Sequence, residues 1–232
     1  MLDTTRQKRA DMESMGMVMS QLAHQLKNNI TVIRSSSQFC LEWEDLPTPI
    51  KENLSIILQR VQKIDKILND LLNSTTPTTP LLLSSIDINK LITQAWKIAE
   101  LTSLKKRVAL VMQLDPEIPP IMGDEERLEE VFLNLFLNAI QAVTPKGKIM
   151  VQSRPIPSKN LVEINIIDNG PGIAKNQRDK IFAPFFTTKK EGIGLGLSIS
   201  LKNVHHHNGN IYVQHGKGGG TKFSVRLPVT QP

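Results

Sequence analysis

The sequence predicts two folds in series: an α-helical hairpin that pairs with a second copy into a four-helix bundle, and behind it an α/β sandwich. Three features of the 232 residues carry this expectation. Apolar residues recur at steps of three and four through the first third, a Thr/Pro segment breaks that rhythm, and β-branched runs bounded by Gly, Pro and Asn take over beyond it. The expected boundaries are a first domain over 1–76, a linker over 77–84 and a second domain over 85–232.

Met12, Met15, Met19, Leu22, Leu26, Ile30 and Ile33 read as the apolar stripe of one long helix, with Gly16 inside it and no proline. Glu44 to Pro49 breaks that helix. Leu54, Ile57, Val61, Ile64, Leu68 and Leu71 then keep a heptad rhythm to about Asn73, which gives a second helix antiparallel to the first. One hairpin cannot cover so long a seam, so a homodimer is expected. Thr75 to Pro80 is polar and helix-breaking, as a linker would be.

Beyond it, Asn89 to about Lys105 reads as a helix and Val108 to Met112 as a strand. Asp124 is placed to N-cap a helix that runs through Val143 and is ended by Pro145 and Gly147. Ile149–Val151, Val162–Ile167, Ile211–Val213 and Phe223–Val225 read as strands, with a helix near Leu197–Val204. A sheet covered by helices on one face follows.

Composition narrows the functions. The net charge is +6, but the 28 Lys and Arg residues form no stripe interleaved with aromatics, so no nucleic-acid partner is expected. One cysteine, Cys40, permits no intrachain disulfide, and a cytoplasmic, reducing setting is expected. No apolar run approaches the roughly 18–20 residues that cross a bilayer, so a membrane would be reached only through a region outside these residues.

Four features could carry chemistry, and a fifth cluster has only a structural reading. His24 lies two residues from Leu22 and from Leu26, which turns it away from the apolar seam toward water, amid Gln21, Gln25, Lys27 and Asn28. On its own it reads as a solvated surface histidine. Asn134 and Asn138 share one face of an apolar helix; they bond backbone carbonyls, or Asn138 holds a hydrated Mg2+, an ion that prefers oxygen ligands. The apolar strand Ile166-Ile167 ends in Asp168-Asn169-Gly170-Pro171-Gly172, a turn also common in plain loops. Gly192, Gly194 and Gly196 lead into a helix whose N-terminal N–H groups could receive phosphates, without the Gly-Lys-Ser/Thr ending of a P-loop. His205-His206-His207 reads as helix-end chemistry before Asn208-Gly209.

The order of these features, with Phe182-Ala183-Pro184-Phe185-Phe186 between the two glycine motifs, resembles a sensor histidine kinase. The resemblance runs from about residue 15 to the C-terminus, and Asn138 to Ala142 with Phe185 to Lys189 are most similar to the nitrogen-regulatory branch. It implies a dimerisation and phosphotransfer domain followed by an ATP-binding domain of the gyrase, Hsp90, kinase and MutL (GHKL, Bergerat) type, with ATP and Mg2+ as cofactors and a response-regulator receiver domain as partner. His24 would accept the γ-phosphoryl group and pass it to a regulator aspartate. Asn138 would ligate Mg2+, Asp168 would accept the adenine amino group, and Gly170 and Gly172 would shape the adenine pocket. Gly192, Gly194 and Gly196 would form a phosphate-facing lid. Lys189 would contact phosphate, or is a solvated loop charge; Thr221 would bond near the adenine.

The chain departs from that pattern at two places near His24. Gln25 replaces the usual acid, and an amide cannot take up a proton as a general base. Asn29 replaces the usual proline, so the first helix is expected to run straighter. Asn28 keeps the amide that the family uses to orient water for dephosphorylating the regulator, so phosphatase activity is expected alongside the kinase. Asn134 stands where related ATPases use a water-activating glutamate, which disfavours plain ATP hydrolysis. The alternative to an autokinase is a degenerate kinase acting mainly as a nucleotide-binding phosphatase or scaffold.

Overall fold

The computed structural model describes residues 26–75, 80–103, 106–189, 194–216 and 219–229. The chain divides into two compact units, 1–78 and 79–232. His24, Gln25 and Gly192 lie outside the described residues.

In the first unit, helix α1 covers 26–41 and α2 covers Thr48–Thr75. Ile30 of α1 is buried in one cluster with Val61 and Leu68 of α2. An ion pair from Arg34 to Asp65 at 2.9 Å ties the two helices, which places them antiparallel across the 42–47 turn. The expected break ends two residues early: Pro49 sits in the first turn of α2, where its missing N–H has no helical partner to lose. A second stripe stays open. Leu26 and Ile33 on α1, and Ile50, Ile57 and Ile64 on α2, are exposed at seven-residue intervals.

The second unit opens with strand β1 (Ser84–Ile86) and helix α3 (Ile88–Ser103), followed by β2 (Ala109–Leu114), β3 (Ile121–Gly123) and α4 (Glu125–Ala142). Then come β4 (Lys148–Ile156), β5 (Leu161–Asp168), α5 (Gly196–His206), β6 (Asn210–His215) and β7 (Thr221–Pro228). β1 and β3 make a small antiparallel pair that the sequence pattern does not announce. The main sheet has the order β2-β4-β5-β7-β6, with β2 parallel to β4 and every other neighbour antiparallel.

Alternation in the strands explains the layers. Val162, Ile164 and Ile166 of β5, with Ile149 and Val151 of β4, are buried against Leu128, Phe132, Leu135 and Phe136 of α4 and Leu91, Ile92 and Ala95 of α3. The intervening residues form the other face, where Arg154 and Arg226 both bond the buried Glu163 carboxylate and Arg226 lies 4.8 Å over the Tyr212 ring.

Helix α4 is fixed at both ends. Asp124 caps it, Oδ1 accepting the Arg127 N–H at 3.1 Å and Oδ2 the Leu82 N–H at 3.1 Å. The Asp124 N–H itself donates to Nε2 of His207 at 2.9 Å, and Nδ1 on the other side of that ring donates to the Asn203 carbonyl at 2.7 Å. His207 is therefore a buried neutral ring joining α5 to the start of α4, which is more than the helix-end role expected of it. At the other end the Lys106 ammonium donates to the carbonyls of Ile140, Gln141 and Val143 at 3.0, 3.1 and 3.1 Å. These are acceptors that a helix C-terminus leaves open, and a cation suits its dipole.

Candidate functional site

β5 carries Asp168 out of the core at its last residue, so the carboxyl group is buried at the sheet's rim. Its Oδ1 accepts the N–H of Gly170 at 2.8 Å and that of Thr221 at 3.2 Å. Burial pushes the carboxyl up from the usual carboxylate range, against the pull of these two N–H groups and the Thr221 hydroxyl. A carboxylate has about four acceptor positions, so capacity is left for an incoming amino group.

The Gly-rich turn is seated on its neighbours. Asn169 bonds β4 through Lys148, accepting its N–H at 2.7 Å and donating to its carbonyl at 3.2 Å. Gly172 has φ +76, and a Cβ there would stand 2.8 Å from the Gly220 carbonyl, so the close approach of the two glycine motifs excludes a side chain. A Cβ on Gly170 would meet the Ala142 carbonyl at 2.8 Å, which puts the turn directly against the last turn of α4.

That last turn carries the amides. Asn138 Oδ1 accepts a hydrogen bond from Lys189 Nζ at 2.7 Å, and the same ammonium donates to Gln141 Oε1. One turn earlier, Asn134 Nδ2 reaches the Gly196 carbonyl at 3.5 Å, at the N-terminus of α5. Gly194 has φ +75 and lies against the chain of Phe185 and Phe186, 2.5 Å from the Phe186 carbonyl to where its Cβ would be. Burial lowers the Lys189 ammonium from its ordinary value, and the neighbouring charge of Lys106 adds to this.

The structure thus brings together Asn134, Asn138, Asp168, Gly170, Gly172, Lys189, Gly194, Gly196 and Thr221 around the C-terminal half of α4. Asn28 is exposed on α1, in the other unit. Gln141 and Lys106 were missed. Gln141 had a signal, since i+3 from Asn138 falls on the same helix face. Lys106 had none, because its acceptors lie 34 to 37 residues away.

The donor set fits Mg2+, a hard cation that takes oxygen ligands: the amide oxygens of Asn138 and Gln141 converge on one point that already holds a positive group. A cleft of about 570 Å3 between α3 and α4 is the wrong place for a polyanion. It is lined by Gln94, Lys97, Ile98 and three carboxylates, Glu125, Glu126 and Glu129.

Both units match known protein families. Residues 14–79 match the His Kinase A (phospho-acceptor) domain, and residues 123–231 match the histidine kinase-, DNA gyrase B-, and HSP90-like ATPase family. The signal transduction histidine-protein kinase AtoS of Escherichia coli (strain K12) is 34% identical over 93% of this chain and 35% of its own length. The sensory histidine kinase/phosphatase NtrB of Vibrio alginolyticus is 29% identical over 90% of this chain and 61% of its own. This chain therefore spans less than two thirds of either. Among solved structures, the catalytic domain of histidine kinase ThkA is 32% identical with a TM-score of 0.60, covering 65% of this chain and 97% of that one. ThkA in complex with response regulator protein TrrA is 27% identical with a TM-score of 0.67, over 99% and 66%. A phosphoacceptor domain followed by this ATPase domain makes the chain a member of the sensor histidine kinase family.

Proposed function

We propose that this chain, as a homodimer in the cytoplasm, uses ATP and Mg2+ to phosphorylate His24 and passes the phosphoryl group to an aspartate in the receiver domain of a response regulator. The observation that carries this reading is Asp168: a buried carboxylate, oriented by two backbone N–H groups, beside two amide oxygens that converge on a cation. That pairing suits a ligand with an amino-bearing base at one end and a metal-bound polyphosphate at the other.

Phosphoryl transfer needs in-line positioning and charge neutralisation more than covalent help. Asp168 would accept the adenine amino group, while the glycine turns keep side chains out of the pocket. Asn138 would hold Mg2+, which supplies charge neutralisation on the phosphate oxygens. Lys189 would serve those oxygens as a point charge, with Gly192, Gly194 and Gly196 lining the path. A neutral His24 nitrogen forms the new N–P bond as the bond to the ADP oxygen breaks. An unperturbed imidazole, with a pKa of about 6.5, is largely neutral at pH 7. Gln25 cannot receive its proton, so the forward reaction is slower than with an acid there, by about 10²- to 10⁴-fold for a lost base.

Gln25 also supports a second reading, a chain that acts mainly as phosphatase or scaffold. The exposed amide of Asn28 and the kinase/phosphatase named among the relatives favour dephosphorylation of the regulator as a second activity. Incubating the purified chain, His24→Ala and Gln25→Glu with γ-labelled ATP and Mg2+ separates the two. Acid-labile, base-stable label on the parent that disappears in His24→Ala is the expected result. Label that appears only in Gln25→Glu would replace the kinase reading with the phosphatase or scaffold one.

A further inference from the structure

The cation that holds the two α4 amides is part of the chain itself. Lys189 Nζ donates to Asn138 Oδ1 at 2.7 Å and to Gln141 Oε1, side chains at i and i+3 on the last turn of α4. Both oxygens are acceptors, and both turn toward the same ammonium. The lysine is reached by a local turn, its own N–H donating to the Thr187 hydroxyl at 3.0 Å. The seat is stiff because Lys106 ties the carbonyls of Ile140, Gln141 and Val143 just behind it.

We propose that Asn138 and Gln141 form a two-oxygen cation seat which Lys189 fills when no divalent metal is present, so that Mg2+ enters by exchange with the lysine. This rests on the ATP and Mg2+ reading above and adds Gln141 as a residue of the metal site. An ammonium with three donors and no acceptor can satisfy both oxygens, yet it cannot share them with a second positive ion at contact distance. Metal entry therefore releases the 187–189 segment from α4. The released ammonium is then free to meet the γ-phosphate oxygens of ATP, which ADP lacks, so that an ADP titration reads the competition alone. Without the metal, the same contact satisfies the two amides and keeps positive charge at the phosphate end.

The exchange makes two opposite predictions for two variants. ADP, which has no γ-phosphoryl group to transfer, is titrated calorimetrically into the whole chain across a magnesium series that begins in EDTA. Gln141→Leu removes one seat oxygen and should cut the tightening of ADP by Mg2+, taken as the ratio of affinities with the metal and in EDTA, at least about fivefold. Lys189→Met removes the competitor and should lower the Mg2+ concentration at half-effect by about 3- to 10-fold, since a site held in a non-binding state shows a weakened apparent affinity. A half-effect concentration that stays the same or rises in Lys189→Met, or full magnesium tightening in Gln141→Leu, overturns the exchange with the ATP reading intact. A parent chain that binds no ADP in either condition overturns the ATP reading and the exchange with it.

Discussion

On the proposed reading, recognition and stability oppose one another at Asp168. Its carboxyl is raised above the ordinary 3.8, mainly by burial. A group whose folded pKa lies above its unfolded one adds stability below the unfolded value and loses it as pH rises through the folded value. At neutral pH the Asp168 charge therefore costs stability. Asp168→Asn keeps an oxygen for the Gly170 and Thr221 N–H groups but presents an NH2 to the adenine amino group. The thermal midpoint should stay level or rise while ADP affinity falls about 10- to 100-fold, as expected for loss of a hydrogen bond to a charged acceptor worth roughly 1.5–3 kcal/mol. Calorimetry of both quantities checks this; a lower midpoint with unchanged ADP affinity would make Asp168 a structural residue only. The place of this aspartate was legible in the sequence because an apolar strand ends on it, whereas its part in adenine binding came only from the family resemblance. Gln141 was legible only as a neighbour of Asn138 on one helix face; that its oxygen meets a cation shows only when Lys189, 48 residues away, is seen beside it.

Helix α4 is the element on which the site depends, and its two fastenings come from distant segments. His207 accepts from the Asp124 N–H only while Nε2 is unprotonated. Burial lowers its pKa, against the Asn203 carbonyl and Asp124, so the unfolded chain takes up a proton first as pH falls. The stability that this ring contributes is complete above about pH 6.5 and is lost as pH falls below it, by up to about 1.4 kcal/mol per pH unit. Urea unfolding at pH 7.5 and 5.5 should show that loss in the parent and a smaller one in His207→Gln. Equal losses would remove His207 from the acid response. His206, lowered by burial as well, is present in both chains and cancels in the comparison. The ends of α4 itself were legible, with Asp124 read as its cap and Pro145 and Gly147 as its stop. The fastening by His207 and Lys106 was not, because neither residue lies near α4 in sequence.

The whole molecule is two units with different debts to other chains. The second has a closed one-sided core, whereas the first leaves Ile50, Ile57 and Ile64 exposed at heptad spacing beside Leu26 and Ile33. A stripe of that length calls for a second copy. Ile57→Glu should shift the chain from dimer to monomer in sedimentation while leaving ADP binding within about twofold, since the altered residue lies outside the nucleotide-facing unit. A dimer that survives unchanged would exclude this stripe as its interface. Two-unit organisation was legible because the apolar period changes from heptads to alternation across the Thr/Pro segment. The β1–β3 pair was not, since each strand has three residues and their partners are nearly forty positions apart.

The order of the main sheet has a consequence for how the chain is made. β7 is its last strand in sequence but lies between β5 and β6, and its first residue, Thr221, supplies one of the two backbone donors to Asp168. A chain emerging from the ribosome as far as β6 has Asp168 and both asparagines, but it lacks an interior strand of the sheet and one of the two backbone donors to Asp168. On the proposed reading, ATP selects only chains whose synthesis has passed β7, and an unfinished chain has no nucleotide to stabilise it.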